Sequence, residues 1–166
     1  MATFDNLLIA LGEEHKNRQL FLAFAAKADA EGAPQVARLF RATAEAERIH
    51  AEAQLTMLNT VRSTRENLLQ AMAAEEREFQ DLYVKFLRES QEEGNQEATE
   101  LLTRIMASER LHHNLFNAAL QAIDAGRQVE QAPVFVCSFC GNIIIGEPTG
   151  PCSICGKGPE KFTAIS

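Results

Sequence analysis

The sequence predicts an all-α four-helix bundle followed by a small domain built around a four-cysteine metal site. From Leu7 to about Ala125 the chain is rich in Ala, Leu, Glu, Gln and Arg, and apolar residues recur every three or four positions. That composition and period are typical of amphipathic helices, and Pro34 is the only proline in the stretch. All four cysteines lie between positions 137 and 155, where two CxxC pairs indicate a separate metal-binding module.

Length and charge limit the classes of function. At 166 residues the chain has room for one core and a small appended module. A formal net charge of −7 without a basic stripe argues against nucleic acid or an anionic membrane as the partner. No apolar run approaches the roughly 18 residues of a membrane span, and the first residues lack the layout of a signal peptide. We therefore expect a cytoplasmic protein, in which clustered cysteines bind metal rather than form disulfides.

Turn residues divide the helical region into four helices, at about 4–31, 34–60, 64–93 and 96–125. Gly32 and Pro34 mark the first break, since Gly suits a helix end and Pro the first helical turn. Gly94 marks the third break, whereas nothing near Thr60 to Thr64 forces the second. The predicted domains are a bundle over 1–126, a linker over 127–134 and a metal-binding tail over 135–166.

The helical region contains an internal repeat. Without gaps, an offset of 62 places Glu13 on Glu75, and it places the segment 47–50 on the segment 109–112. Recurrence at a fixed offset indicates a duplicated helical hairpin. Because carboxylates and histidines recur together with core residues, the repeat indicates a shared chemical role as well as a shared fold.

Each half of the repeat carries a Glu-x-x-His pair. Residues three apart share a helix face, so each pair directs one carboxylate and one imidazole to the same point. Four-helix bundles that bind two irons or two manganese ions use two such pairs, plus one Glu from each of the other two helices. The set predicted here is Glu13, Glu47, His50, Glu75, Glu109 and His112.

Two further acids near these residues receive different interpretations. Glu78 lies three residues after Glu75 on the same helix face, where the first half of the repeat has Lys16, so the third helix offers a second carboxylate. Glu14 is expected to be solvated, as most glutamates on helix surfaces are.

The cysteines form two knuckles, at 137–141 and 152–156, with 11 residues between Cys140 and Cys152. Each knuckle folds two thiolates toward one ion, and the Gly after the second Cys permits a tight turn with backbone N–H contacts to sulfur. The spacing predicts a tetrahedral four-thiolate site but does not identify the metal. A structural zinc and a redox iron both fit, and a two-metal site that needs electrons favours iron.

With both sites in place, the chain resembles the rubrerythrin family from one end to the other. The likeness rests on segments 12–13, 43–51, 75–83 and 107–112, and on the tail. The resemblance implies a ferritin-like di-iron domain followed by a rubredoxin-like iron domain. The metal ligands it implies are Glu13, Glu47, His50, Glu75, Glu78, Glu109, His112, Cys137, Cys140, Cys152 and Cys155.

The resemblance also implies an activity. Rubrerythrins reduce hydrogen peroxide to water in oxidative-stress defence. Their electrons pass from NAD(P)H through a separate reductase, or a rubredoxin, to the four-cysteine iron and then to the di-iron centre. By this analogy Glu78 would exchange with His50 on one iron as the oxidation state changes, and Tyr83 is the tyrosine retained in the second half. The candidate catalytic residues are therefore Glu78, His50 and Tyr83.

The sequence departs from the family pattern at three positions. Leu20 stands seven residues after the first predicted ligand, where a tyrosine is common, and Phe135 and Asn142 stand where Trp and Tyr are frequent. These changes concern the surroundings of the metals rather than the ligands.

The short link between the second and third helices predicts a domain-swapped homodimer. In a ferritin-like bundle these helices run in the same direction, so the link must return about 30 Å along the bundle. Three or four residues reach at most about 14 Å. We therefore expect helices one and two of one chain to pair with helices three and four of the other, and the flexible linker to allow docking of the tail on a neighbouring subunit. A simple up-down-up-down bundle is the alternative.

Three other functions stay open on the sequence. A ferroxidase or iron-handling protein would use the same carboxylates, and a zinc-ribbon tail would make the chain a structural or regulatory module. An oxygenase would need a substrate pocket, of which the sequence gives no sign.

Overall fold

The computed structural model describes residues 2–129 and 131–165. Met1, Glu130 in the predicted linker and Ser166 at the end of the predicted tail lie outside the described residues. The chain divides into two compact units, Met1–Arg62 and Ser63–Ser166, and each is described by itself. In the described part of the chain, no helix is long and apolar enough to cross a membrane.

The first unit is a helical hairpin of α1 (Ala2–Ala30) and α2 (Pro34–Leu58). Gly32, just after the end of α1, adopts a φ of +74°. Glycine takes this left-handed conformation without the steric strain that a Cβ atom would cause. Pro34 then starts α2 in its first turn. Near the turn, small buried side chains let the helices approach closely: Ala25, Ala28 and Ala37.

The second unit begins with a helix interrupted by one π-helical turn. It comprises α3 (Thr64–Arg77), the π turn (Glu78–Leu82) and α4 (Tyr83–Glu92). A capping box fixes the start of α3: the Ser63 hydroxyl accepts from the Glu66 N–H, and the Glu66 carboxylate accepts from the Ser63 N–H at 3.1 Å. The four predicted helices are confirmed within two residues at most ends, but the third contains a π turn that we did not predict.

Helix α5 (Gln96–Asp124) packs against α3 and α4. Its start is capped by the Asn95 side chain, which accepts from the Ala98 N–H at 3.1 Å. Near its end, Asp124 accepts two hydrogen bonds from Arg65, at 2.7 and 2.9 Å. This paired contact joins the beginning of α3 to the end of α5.

The tail is a three-stranded antiparallel sheet of order β2-β1-β3. Its strands are β1 (Val134–Cys137), β2 (Ile143–Ile145) and β3 (Phe162–Ile165), with a 3₁₀ turn at Pro159–Lys161. The core of this small sheet is the cysteine cluster itself, covered by Ile154 and Phe162. The metal site is therefore central to the tail domain.

The tail packs on α5 of its own chain. The buried Ser108 hydroxyl of α5 donates to the Cys140 carbonyl at 2.6 Å. The second compact unit therefore contains the tail as well as α3 to α5, and the domain boundary after residue 126 stays a prediction. Docking of the tail on a neighbouring subunit, which the linker would allow, stays a prediction.

Candidate metal centres

The first unit brings together Glu14, Glu47 and His50, one ligand atom of each lying within 4.8 Å of the others. His50 Nδ1 lies 3.2 Å from a Glu47 oxygen and 3.9 Å from a Glu14 oxygen. Gln54 of α2 donates to the other Glu14 oxygen at 3.2 Å and orients that carboxylate. The two carboxylates are largely covered, whereas the His50 side chain is 57% exposed.

Glu14, Glu47 and His50 are called the first half-site below, and its two carboxyl groups lie close enough to shift each other's pKa in opposite directions. A hydrogen bond to Glu47 raises the pKa of Glu14, with smaller contributions from burial and from the Glu47 charge. The same hydrogen bond lowers the pKa of Glu47. Two carboxylates held this closely repel each other unless a proton or a cation lies between them. Their arrangement therefore fits a metal ion.

The structure corrects the assignment in α1. Glu13, which we predicted as the ligand, is exposed and forms an ion pair with Lys16. Glu14, which we expected to be solvated, lies with Glu47 and His50 in the group that could hold a metal ion. The side chains of adjacent helical residues point about 100° apart, so only one of the two can face α2 at this level.

The cause of the error is the π turn. Glu109 follows Glu47 by 62 residues, whereas Glu75 follows Glu14 by 61. A π turn adds one residue to a helix without moving its ends, and the turn at Glu78–Leu82 lies between Glu75 and Glu109. The ungapped repeat is therefore in register after the turn and one residue out of register before it.

The second unit brings together Glu75, Glu109 and His112. His112 Nδ1 lies 2.9 Å from a Glu109 oxygen and 3.9 Å from a Glu75 oxygen, and all three side chains are 16 to 20% exposed. Burial, then a hydrogen bond and charge repulsion from Glu109, raise the pKa of Glu75 to about 7. This half-site is more enclosed than the first.

Glu78 lies in the π turn, outside the three-residue cluster, and is partly buried. It lies close to Tyr83, whose pKa is raised by burial and then by the charges of Glu78, Glu109 and Glu75. The phenol therefore keeps its proton near neutral pH. The three candidate catalytic residues stay predictions, with Glu78 and Tyr83 next to the second half-site and His50 in the first.

The same one-residue shift changes which residue matches Tyr83 in the first half. Tyr83 lies after Gln80 and the centre of the π turn, so an offset of 62 places it on Phe21 rather than Leu20. Phe21 is partly buried and stacks near Phe40, with ring centroids 6.4 Å apart, whereas Leu20 is 43% exposed. Phe21 is therefore the first-half counterpart of Tyr83, and it has the aromatic ring without the hydroxyl.

The tail brings its four cysteines together as predicted. The sulfurs of Cys137 and Cys155 lie 3.7 Å apart, and those of Cys140 and Cys152 lie 3.5 Å apart. Metal–sulfur bonds of about 2.3 Å in a tetrahedron separate the sulfurs by about 3.8 Å. The thiolate cluster therefore fits a single iron or zinc ion.

Glycines and N–H donors shape each knuckle. Gly141 and Gly156 adopt φ values of +79° and +69°, and their N–H groups donate to the carbonyls of Cys137 and Cys152 at 2.9 Å. Burial raises the pKa of the Cys152 thiol, but the backbone N–H groups of Cys155 and Ile154 and the Asn142 side chain outweigh it and lower the pKa to about 6. Such donors favour the thiolate form that binds metal.

One histidine contacts both candidate centres. His112 Nε2 lies 3.0 Å from the Gly141 carbonyl, and because a carbonyl only accepts, Nε2 must carry the proton. Nδ1 faces Glu109 and Glu75 and would be the ring nitrogen that binds a metal. Sequence reasoning found His112 but not this contact, since nothing in the spacing relates position 112 to 141.

Comparisons with known proteins find similar sequences and a similar fold. The family model described as Rubrerythrin matches residues 5–120. Nigerythrin from Nitratidesulfovibrio vulgaris is 33% identical over 177 residues, covering 98% of this chain and 86% of that protein. A rubrerythrin from Porphyromonas gingivalis is 31% identical, covering 86% of this chain and 78% of that protein. A solved structure of nigerythrin in its fully reduced, all-ferrous state has a TM-score of 0.59 at 33% identity, covering 98% of this chain and 86% of that chain.

Proposed function

Because the chain belongs to the rubrerythrin family, we propose that it is a non-haem di-iron peroxidase that reduces hydrogen peroxide to water. The chain carries a carboxylate–histidine site of the di-iron type and a four-cysteine site for iron or zinc. When bound, the two irons would supply the electrons that break the O–O bond. The overall reaction consumes one peroxide, two electrons and two protons and yields two waters.

The observation that supports this function most is the contact of His112 with the tail. The His112 ring lies against Glu109 on one side and against the Gly141 carbonyl, one residue after Cys140, on the other. We propose that electrons enter at the four-cysteine iron and reach the carboxylate site through this contact. The buried hydrogen bond from Ser108 to the Cys140 carbonyl keeps the two groups in place.

The protons of the reaction need donors beside the site. Tyr83 keeps its proton near neutral pH and lies near Glu78 and Glu75. We propose that Tyr83 donates a hydrogen bond to the peroxide and that Glu78 relays protons from solvent. Glu78 and His50 are proposed as alternative ligands of the same iron in its two oxidation states.

We further propose that two chains form each complete centre. Rubrerythrins are generally homodimers, and each compact unit holds one carboxylate pair and one histidine. From His50 to Leu58 and from Thr64 to Glu75 the helices cover about 28 Å. The five residues between α2 and α3 reach at most about 18 Å. In a ferritin-like bundle that link is too short to close a centre within one chain.

The electron source in this proposal is a separate protein, either an NAD(P)H-linked reductase or a rubredoxin. The tail supports such a role because its cysteine cluster is the core of a small domain. In the cell, the activity would remove peroxide in oxidative-stress defence.

The test is metal analysis of the full chain, followed by anaerobic reduction and addition of two equivalents of peroxide per chain, because one peroxide accepts only two of the three electrons that three ferrous ions hold. About three irons per chain are expected, and peroxide should restore the red colour of a ferric four-thiolate site within the mixing time. A Cys152→Ser variant should lose that colour and stop turning over with an external donor, while the matched Ser153→Ala variant keeps both. Zinc in the cysteine site, or an unchanged spectrum, would favour iron handling instead.

A further inference from the structure

The two cysteine knuckles are equivalent in backbone but differ in one side chain. The residue two positions after the second cysteine is Asn142 in the first knuckle and Lys157 in the second. In each knuckle its backbone N–H donates to the sulfur of that cysteine, Cys140 or Cys155. Lys157 is exposed, whereas Asn142 is 1% exposed. The knuckle itself therefore does not require a buried polar side chain at this position.

The Asn142 amide crosses to the other knuckle. Its Nδ2 group donates to Cys152 Sγ at 3.5 Å and to the Ser153 hydroxyl at 3.4 Å. Its Oδ1 atom is buried and has no hydrogen-bond partner among the described residues. An unpaired buried acceptor costs stability. An apolar side chain of similar size at position 142 would avoid this loss of stability.

We propose that Asn142 raises the reduction potential of the iron in the four-cysteine site. Four thiolates around a ferric ion carry a net charge of −1, and uptake of one electron, with no proton, makes it −2. A fixed N–H donor to Cys152 stabilises the more negative ferrous form, because hydrogen bonds to the sulfurs are one of the factors that set such potentials. The Asn142 side chain thus makes the site an easier electron acceptor.

This role follows from the direction of the amide. Nδ2, the donating end, points at the sulfur, and Oδ1, the accepting end, points away from it. The reverse orientation would place a partial negative charge against a thiolate. The use of this tuning to the cell rests on the proposed electron-carrying role of the tail. The reduction potential itself can be measured whether or not the protein reduces peroxide.

The test compares Asn142→Leu and Asn142→Asp in the full-length, iron-loaded protein, by spectroelectrochemical titration with dithionite as the one-electron reductant. For Asn142→Leu we expect the ferrous-to-ferric ratio at a fixed potential to fall about tenfold, which corresponds to 59 mV for one electron. In Asn142→Asp, which keeps the shape of the side chain but replaces its N–H donor with an acceptor, the ratio should fall further. Ser153→Ala is the matched control, because it leaves the hydrogen bond from Asn142 to Cys152 in place, and its reduction potential should stay near that of wild type.

Two outcomes would overturn the proposal. If both Asn142 variants keep the wild-type potential, the amide does not tune the iron. If Asn142→Asp has the wild-type potential while the potential of Asn142→Leu is lower, the side chain acts through its shape and not through its hydrogen bond. Folding is checked by the thermal midpoint, which should stay equal or rise in Asn142→Leu because the unpaired oxygen is gone. The visible charge-transfer band of the ferric site should shift with the potential in the same variants.

Discussion

At the scale of single residues, adjacent glutamates of α1 lie in different surroundings. The Glu14 side chain is 20% exposed and faces Glu47 and His50, whereas Glu13 is 58% exposed and paired with Lys16. We expect Glu14→Gln to remove at least one of the two carboxylate-bound irons per chain, and Glu13→Gln to leave both. Metal analysis after anaerobic iron loading measures this directly. Loss of iron in Glu13→Gln alone would restore our original assignment.

Glu75 makes the metal-free protein sensitive to pH. Its pKa is about 7 in the folded chain against 4.5 without perturbation, first because of burial and then because of Glu109. His112 and His113 oppose the rise. Between those two values the folded state binds more protons than the unfolded state, so the free energy of unfolding falls as the pH rises. Below pH 4.5 and above about pH 7 this contribution is constant.

The check is urea unfolding in the presence of a chelator, from pH 4.5 to 7.5, for wild type and Glu75→Gln. The variant cannot ionise at this position, so its advantage over wild type should grow with pH and level off above about 7. A difference in unfolding midpoint that does not change with pH would show that Glu75 titrates normally.

At the scale of elements, the π turn sets which residues of α3 and α4 face α5. One added residue within the turn rotates the two helices relative to each other by about 100°, compared with a continuous α-helix. Glu75 before the turn and Tyr83 after it can then both lie near Glu109. π turns are frequent at functional sites.

Deletion of Gln80 should convert the turn to α-helix and break the second half-site. Gln80 is exposed, and its side chain contacts only Glu76 among the hydrogen bonds described for it. With one residue fewer, α3 and α4 cannot both keep their contacts with α5, including the Arg65–Asp124 pair. We expect carboxylate-bound iron to be lost while the four-cysteine iron and the helical circular-dichroism signal remain.

The control for this deletion is Gln80→Ala, which keeps the chain length and should keep all the iron. Retention of the carboxylate-bound irons in the deletion variant would mean that the π turn does not position Glu75.

The sequence predicted most elements, and the errors have physical causes. The Gly and Pro breaks located two helix ends, and the CxxCG spacing located the thiolate cluster with its glycine turns. The start of α3 was also readable, since Ser63 and Glu66 form a capping box that we did not use. The π turn could not be predicted, because its only signal in the sequence is a one-residue difference in spacing between the two halves of a diverged repeat. Glu14 and Phe21 were missed for that single reason.

At the scale of the whole molecule, the candidate metal ligands are divided between the two compact units. The first unit holds Glu14, Glu47 and His50, and the second holds Glu75, Glu109 and His112. The tail belongs to the second unit and contacts His112 of the same chain. In a swapped dimer, each centre would therefore receive its electrons from the chain that contributes α3 to α5.

A mixed dimer tests the swap without a crystal. We would co-express one chain carrying Glu47→Gln with another carrying Glu109→Gln, under different affinity tags, and purify the dimers that carry both. If the centres are swapped, one centre receives both altered units and the other receives two intact units. If each chain closes its own centre, every centre contains one altered unit.

The swapped arrangement therefore predicts about half of the wild-type carboxylate-bound iron and about half of the peroxide reduction in mixed dimers, and almost none in either parent homodimer. The unswapped arrangement predicts none in all three. A doubly tagged dimer in which both chains carry Glu47→Gln controls for effects of the tags and of co-expression. A monomeric mass in solution with intact iron centres would contradict the swap independently, because a monomer cannot exchange hairpins. Because the mixed dimer regains one centre only when ligands come from two chains, recovered iron cannot be explained by residual binding in either variant.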